Sequence, residues 1–129
     1  LLVLLQCTSP FTSVEDVRGT VMALVDAQAD SSLAVTPFHS FIWATADGSA
    51  LGVNHDCRHR LRRQDLPKQF KETGGVYVMR IPGFLAARFR FFGKIATYVT
   101  PPERCLEIDD PADLFVANAI ATTLSEIRP

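Results

Sequence analysis

The chain has 129 residues, enough for one domain with its own hydrophobic core, and 47% of them are hydrophobic and 21% charged, as in a globular protein. Its formal net charge of -1 argues against a general nucleic-acid or membrane-surface binder, which needs a strong excess of positive charge. The three cysteines are widely spaced and form no CxxC pair, which favours free thiols in a cytoplasmic protein.

The first predicted element is the apolar run at residues 1–5, a strand buried on both faces. The run is too short to span a membrane and has no basic flank, so it is not a signal peptide. Because the chain starts inside an apolar strand, we expect an incomplete N-terminus. Gln6 follows at once, at the strand end where open α/β sheets bind ligands, and its amide can both donate and accept hydrogen bonds.

A helix is predicted next, with Ser13 as its N-cap, acidic residues in its first turn and an end near residue 29. Residues 32–36 form the following predicted strand, so that strand, helix and strand make a parallel crossover unit. Residues 37–53 then read as a hairpin or an extended excursion, with its turn at Asp47-Gly48. Its aromatic content indicates that it covers the core or packs on a second subunit.

Two features of the middle of the chain could bind ions. His55, Cys57 and His59 suggest zinc, but a structural zinc site needs a fourth ligand that the spacing does not supply. The arginine-rich stretch at residues 58–63 is either a solvated face or a site that pairs a carboxylate or phosphate with a guanidinium fork.

The second half contains a predicted strand at residues 73–80, a short helix at 82–90, strands at 94–100 and 106–109, and a last helix at about 111–127. The glycines that open the first of these strands allow a tight turn or a close approach to a ligand, and they are no phosphate-binding P-loop. The phenylalanines near residue 90 are more typical of a core than of a ligand wall.

Glu107 and Asp109 lie two residues apart on an apolar run, so on a strand both would face the same side. Two converging carboxylates can hold a hard divalent cation such as magnesium. The alternative is that Asp109 or Asp110 merely caps the next helix, with Pro111 at its first position.

Five blocks along the chain together resemble the acylneuraminate cytidylyltransferases, the CMP-sialic acid synthetases and their relatives. The blocks are residues 4–10 (LLQCTSP), 32–36 (SLAVT), 63–67 (RQDLP), 73–78 (TGGVYV) and 106–114 (LEIDDPADL). They occur in the family's order and span essentially the whole chain.

The resemblance implies a Rossmann-like nucleotidyltransferase fold, a three-layer sandwich with a mostly parallel sheet, of which residues 1–129 are a single partial domain. It implies a transfer from CTP to an acidic nine-carbon sugar, with magnesium, in a cytoplasmic homodimer whose dimerisation hairpin is the excursion at residues 37–57. The implied site residues are Glu107 and Asp109 as magnesium ligands, Arg63 for the sugar carboxylate, and Gln6, Thr73, Tyr77, Phe91 and Phe92 along the sugar pocket.

The chain departs from the family pattern at Glu107, where the family usually has Asp, at Thr73, where it has Asn, and at Cys7, where it has Pro. The family's opening strand and its Arg/Ser/Lys/Gly-rich triphosphate loop have no counterpart here. The resemblance therefore implies that this chain is the C-terminal two-thirds of an enzyme. Two alternatives stay open: the same fold acting on 3-deoxy-octulosonate with CTP or on legionaminic acid with GTP, and a non-catalytic module for sugar-acid binding or dimerisation.

Overall fold

The computed structural model describes the backbone of residues 1–127 and the side chains of residues 1–123. The strands are β1 (Leu2–Leu5), β2 (Ser31–Phe38), β3 (Trp43–Ala46), β4 (Ser49–Gly52), β5 (Gln69–Met79) and β6 (Ile95–Val99), and the helices are α1 (Val14–Asp26), α2 (Ile81–Ala87) and α3 (Pro111–Ile127). The chain divides into two compact units, Leu1–Thr36 with Glu72–Pro129, and Pro37–Lys71. Within the described part of the chain, no helix is long and apolar enough to cross a membrane.

The first unit is a mixed α/β structure built on a four-stranded sheet in the order β1-β5-β2-β6. β2 and β6 are parallel, whereas β5 is antiparallel to β1. The Arg80 N–H, just after β5, donates to the carbonyl of Asp30, just before β2 (2.9 Å), so the end of β5 lies beside the start of β2. The Thr73 hydroxyl of β5 also donates to the Ala34 carbonyl of β2 (3.1 Å). The expected mostly parallel sheet is therefore corrected to a mixed one, because the chain leaves β2 and enters β5 at the same end.

Helix α1 begins where the sequence predicts it. The Ser13 hydroxyl accepts a hydrogen bond from the Asp16 N–H (3.2 Å), and the Asp16 carboxylate accepts one from the Ser13 N–H (2.9 Å). This reciprocal pair satisfies two N–H groups that the first turn of a helix leaves without partners. The predicted capping at Ser13 is confirmed.

The core lies on both faces of the sheet. On one face, buried residues of β2, β5 and β6 pack against α1; they are Ala34, Val76, Val78 and Ala96, with Leu24 and Ala29 from α1 and its following turn. On the other face, Leu33, Val35, Tyr77 and Met79 pack against Phe84 of α2 and the loop residues Phe91 and Phe92. The two sets alternate along each strand, as the pleat requires.

Strand β1 is not the doubly buried strand that its composition predicts. It pairs with β5 on one side and forms the edge of the sheet on the other. Leu1 and Leu5 are each 54% exposed, and Val3 and Leu4 are exposed too. Its apolar composition suits an interior strand, but in the described chain only β5 lies beside it.

The predicted strand at residues 106–109 is also wrong. This segment follows a short 3₁₀ turn at Pro102–Arg104 and has no strand conformation. A backbone hydrogen bond joins it to the loop after β1, from the Ile108 N–H to the Thr8 carbonyl (2.8 Å). Glu107 and Asp109 therefore do not lie on a strand.

The second unit contains the predicted hairpin. β3 and β4 pair antiparallel, and Asp47 and Gly48 form the turn between them. Their φ angles of 50° and 75° are those of the two-residue turns that join the strands of a tight hairpin. The Asn54 side chain ties the hairpin base, since its Oδ1 accepts from the Ile42 N–H (2.8 Å) and its Nδ2 donates to the Ser40 carbonyl (2.9 Å). The His55 ring packs edge-on against Phe41 and Trp43, at 4.8 Å from each ring centre.

Candidate functional site

The loop after β1 and residues 72–75 of β5 lie together at one end of the sheet in the first unit. The Gln6 N–H donates to the Gly75 carbonyl (3.3 Å), and the Gln6 carbonyl accepts from the Ser9 N–H (3.2 Å). The segment containing Glu107 joins the same region through Ile108 and Thr8. This end of the sheet is where the sequence places Gln6 as a ligand contact.

Glu107 packs directly against the backbone of Gly74. A Cβ atom at Gly74 would overlap the Glu107 carboxylate, and the Gly74 φ of +70° is a conformation that side chains rarely adopt. Glycine is therefore favoured at position 74 by its backbone angle and by the space that the Glu107 carboxylate occupies. Glu107 is also close enough to Tyr77 for its charge to contribute to the raised pKa of that phenol.

Tyr77, Glu72, Arg90 and Phe91 form a cluster at this end of β5. The Tyr77 hydroxyl donates to Glu72 Oε1, and Arg90 Nη2 lies 3.5 Å from the same oxygen. The Arg90 guanidinium carbon is 4.4 Å from the centre of the Tyr77 ring and 5.4 Å from that of Phe91. The two rings meet edge to face, with centroids 6.0 Å apart. The cluster thus joins a carboxylate, a phenol and a guanidinium on an aromatic support.

Tyr77 stays protonated over the physiological range. Burial is the largest cause, followed by the hydrogen bond to Glu72 and the charge of that carboxylate, and together they raise the pKa of Tyr77 above its ordinary value of 10.0. A neutral phenol can donate only one hydrogen bond, and here it donates to Glu72.

Thr73 is 4% exposed, and its hydroxyl is engaged inside the sheet. The hydroxyl donates to the Ala34 carbonyl (3.1 Å) and accepts from the Gly75 N–H (3.3 Å). The Ser9 hydroxyl donates to the Thr73 carbonyl at 3.4 Å. These bonds give Thr73 a structural task in joining β2, β5 and the β1 loop, and its predicted contact with a sugar stays a prediction.

The acidic residues before α3 divide into two kinds. Asp110 caps the helix, because its Oδ1 accepts from the Ala112 and Asp113 N–H groups (2.7 and 3.1 Å), and Pro111 is the first helical residue. Asp113 completes the cap by accepting from the Asp109 and Asp110 N–H groups (3.0 and 3.1 Å). The capping alternative is thus confirmed for Asp110. The Asp109 carboxylate is exposed and takes no part in this network of the described residues.

The remaining predicted residues fall in different places. Phe91 and Phe92 are half-buried and pack against the core cluster that contains Tyr77 and Met79. This agrees with the core interpretation of the phenylalanines and leaves their predicted contact with a sugar a prediction. Arg63 belongs to the second unit, where it begins a 3₁₀ turn and is exposed. The ion pair in that turn is made by its neighbour, from Arg62 Nε to Asp65 (2.7 Å).

Sequence reasoning missed Arg90 and Glu72. Arg90 stands one residue before the predicted Phe91-Phe92 pair, and Glu72 one residue before the predicted Thr73. The alternation of side chains along β5 could not have predicted the contact between Glu72 and Arg90, because the rest of β5, α2 and a turn separate the two residues in the sequence. A charged residue flanked by aromatic residues, as in Phe89-Arg90-Phe91, was the one available signal.

Comparison with known proteins assigns no family to this chain. The sequence matches no protein family model and no curated protein.

Proposed function

We propose that this chain belongs to a nucleotidyltransferase that activates an acidic nine-carbon sugar of the sialic acid type with CTP. In that reaction the anomeric hydroxyl oxygen forms a bond to the α-phosphorus, the bond to the β-phosphate oxygen breaks, and pyrophosphate and the hydroxyl proton leave. The proposed fold is accordingly a Rossmann-like nucleotidyltransferase. The observation that carries the proposal is the Glu107 carboxylate held against Gly74 beside Tyr77, because the resembling blocks assign these positions to the site.

Glu107 and Asp109 are the residues that would hold magnesium. Their donor set fits this ion, which usually takes one or two carboxylates from the protein and completes its shell with water and substrate phosphates. Within the described residues no three His, Cys, Asp or Glu side chains converge. Magnesium would neutralise charge on the transferred phosphate.

The sugar would lie between the β1 loop and the aromatic cluster. Gln6 offers an amide for sugar hydroxyls and Phe91 offers an apolar ring surface, while Tyr77, which is 2% exposed, and Phe92 support that ring from the core. The resemblance also implies Arg63 as a partner of the sugar carboxylate and Thr73 as a further contact with the sugar. Positioning of this kind supplies much of the catalysis in phosphoryl and nucleotidyl transfer.

A cytoplasmic homodimer is part of the same proposal. Residues 37–57 would form its arm, and the hairpin carries exposed apolar side chains that suit an interface: Trp43 and Leu51 are each 53% exposed and Val53 is 60% exposed. Sedimentation of the purified protein measures this part of the proposal separately from activity.

Pyrophosphate release by the complete protein tests the function. The assay contains magnesium and either CTP or GTP, and it compares N-acetylneuraminate, 3-deoxy-octulosonate and legionaminic acid with a reaction that lacks sugar. Release that requires CTP and a nine-carbon acid supports the proposal. Release with GTP and legionaminic acid, or with CTP and 3-deoxy-octulosonate, reassigns the substrates, and no release with any pair refutes the transferase.

A further inference from the structure

The Arg90 guanidinium lies against two aromatic rings, and among the described residues few of its N–H donors have an acceptor. The rings of Tyr77 and Phe91 support it at 4.4 and 5.4 Å. Its contact with Glu72 is an ion pair of 3.5 Å, longer than the charge-assisted bonds that Arg and carboxylates usually form. Its Nε atom is buried and has no hydrogen-bond partner among the described residues.

An arrangement of this kind is unusual for a purely structural arginine. A guanidinium carries five N–H donors in one plane, and a buried donor without an acceptor is costly. Arg104 in the same unit differs from Arg90, because its Nε and Nη2 both donate to the Asp16 carboxylate, at 2.9 and 2.8 Å. Both donors of this edge of Arg104 are therefore filled, whereas at Arg90 the Nε has no acceptor among the described residues and Nη2 has only its 3.5 Å contact with Glu72.

We propose that Arg90, and not the Arg63 that the resemblance implies, binds the carboxylate of the acidic ligand, with Tyr77 and Phe91 as residues that position its guanidinium. The identity of the ligand as a sugar acid rests on the proposed function above, while the oxyanion preference rests on the Arg90 geometry. A planar carboxylate matches the fork of an arginine in two parallel hydrogen bonds.

The surrounding charges favour a monoanion over a phosphate. Glu72 lies 3.5 Å from the guanidinium, and the Glu107 charge acts on Tyr77, which Arg90 covers. A doubly charged phosphate would meet more repulsion from these two carboxylates than a single carboxylate would. Nucleotide phosphates are the other source of an oxyanion at this site, and the experiment separates the two.

Calorimetric titration of the complete protein tests the assignment. N-acetylneuraminate and its methyl ester are titrated into the wild type, Arg90→Gln and Arg90→Lys, with Arg88→Gln as a matched exposed control on the same loop. We expect the wild type and Arg88→Gln to bind the acid about 10- to 100-fold more tightly than the ester. Arg90→Gln should bind acid and ester alike, and Arg90→Lys should retain only part of the preference because it lacks the fork.

Each outcome bears on a different claim. An undiminished preference for the acid in Arg90→Gln overturns the Arg90 assignment even if the wild type is an active transferase. Weaker binding of CTP or inorganic phosphate by Arg90→Gln, with the acid preference intact, shows that the oxyanion is a phosphate and also overturns it. Acid binding that depends on Arg90 in a protein without transferase activity supports the assignment and refutes the proposed function. A wild type that binds no sugar acid overturns both. Thermal melts of all variants establish that the proteins compared are folded.

Discussion

Arg104 donates two hydrogen bonds, of 2.9 and 2.8 Å, to the carboxylate of Asp16, which is 2% exposed at the first turn of α1. The Thr100 hydroxyl donates a third, at 3.2 Å, and the Ser13 N–H a fourth, at 2.9 Å. One side chain thereby joins the start of a helix, the end of β6 and the turn that leads to Glu107. The pairing keeps a buried charge satisfied.

Replacing Asp16 with Asn should lower the free energy of unfolding by about 3 kcal/mol, because it leaves the Arg104 charge without its partner. Urea unfolding at neutral pH measures this loss. Asp26→Asn is the matched control, since Asp26 is exposed at the other end of the same helix, and it should change stability by less than about 0.5 kcal/mol. Equal effects of the two substitutions would contradict the role of the Asp16 pair.

The same carboxylate makes stability depend on acid. Burial alone would raise the pKa of Asp16, but the hydrogen bonds from Arg104 and Ser13 outweigh it and hold the pKa below its ordinary value of 3.8. The unfolded chain therefore takes up this proton at a higher pH than the folded chain does. The contribution is complete above pH 3.8 and is lost as the pH falls through the folded-state value. Urea titrations between neutral and acidic pH should show a smaller acid-induced loss in Asp16→Asn than in the wild type, and parallel curves would refute the expectation.

Gly74→Ala should destabilise the protein by about 2 kcal/mol, because its φ is strained and the added Cβ must displace the Glu107 carboxylate at the end of a flexible side chain. Gly48→Ala provides the matched control, because Gly48 also has a positive φ but nothing lies within 4 Å of its added Cβ. It should cost only about 1 kcal/mol. In a Glu107→Ala background the cost of Gly74→Ala should fall towards that of Gly48→Ala. An unchanged cost would show that the carboxylate does not occupy this space.

Thr73→Val distinguishes a structural from a ligand-binding threonine. It should lower stability by about 2 kcal/mol, because the Ala34 carbonyl and the Gly75 N–H both lose a buried partner, and it should leave the KM for the sugar acid unchanged. Thr73→Ser keeps the hydroxyl and should lose less stability. A raised KM with full stability would instead support the sugar contact that the resemblance implies.

If Asp109 holds magnesium as proposed, Asp109→Asn should reduce the rate of pyrophosphate release by about 100-fold or more. Its stability should stay within about 0.5 kcal/mol of the wild type, because its carboxylate is exposed. Asp110→Ala is the converse control, since loss of the helix cap should cost about 1 kcal/mol and leave the metal ligands in place. Retained release in Asp109→Asn would remove the residue from the metal site.

Local signals in the sequence predicted local structure well. Ser13 and Asp16 stand at the spacing of a capping box, and Asp47-Gly48 supplies the positive φ angles of a tight hairpin, so α1 and the β3–β4 hairpin were both found. Each depends only on residues within a few positions of one another. The elements that failed depend on partners elsewhere in the chain.

The edge position of β1 and the irregular segment around Glu107 illustrate the limit. The apolar composition of β1 favours an interior position in a sheet. The order of the strands decides whether β1 has that position, and β5 lies between β1 and β2, which leaves β1 at the edge. The alternation in Leu106-Glu107-Ile108-Asp109 likewise needs a neighbouring strand to become a ladder. Arg90 and Glu72 meet only because β5 and the turn after α2 are folded against each other, which no periodicity encodes.

The exposed edge of β1 governs how this chain behaves when it refolds. Hydrogen bonds in the β1–β5 ladder alternate along β1, and the Gln6 N–H bond to Gly75 sets their phase, so the backbone groups of Val3 and Leu5 point away from β5. Together with its apolar side chains, this row is a template on which another extended chain can add. Strand addition between molecules is second order in protein, whereas folding is first order. Recovery of monomer after dilution from denaturant should therefore fall as the protein concentration rises, and Val3→Lys should restore it.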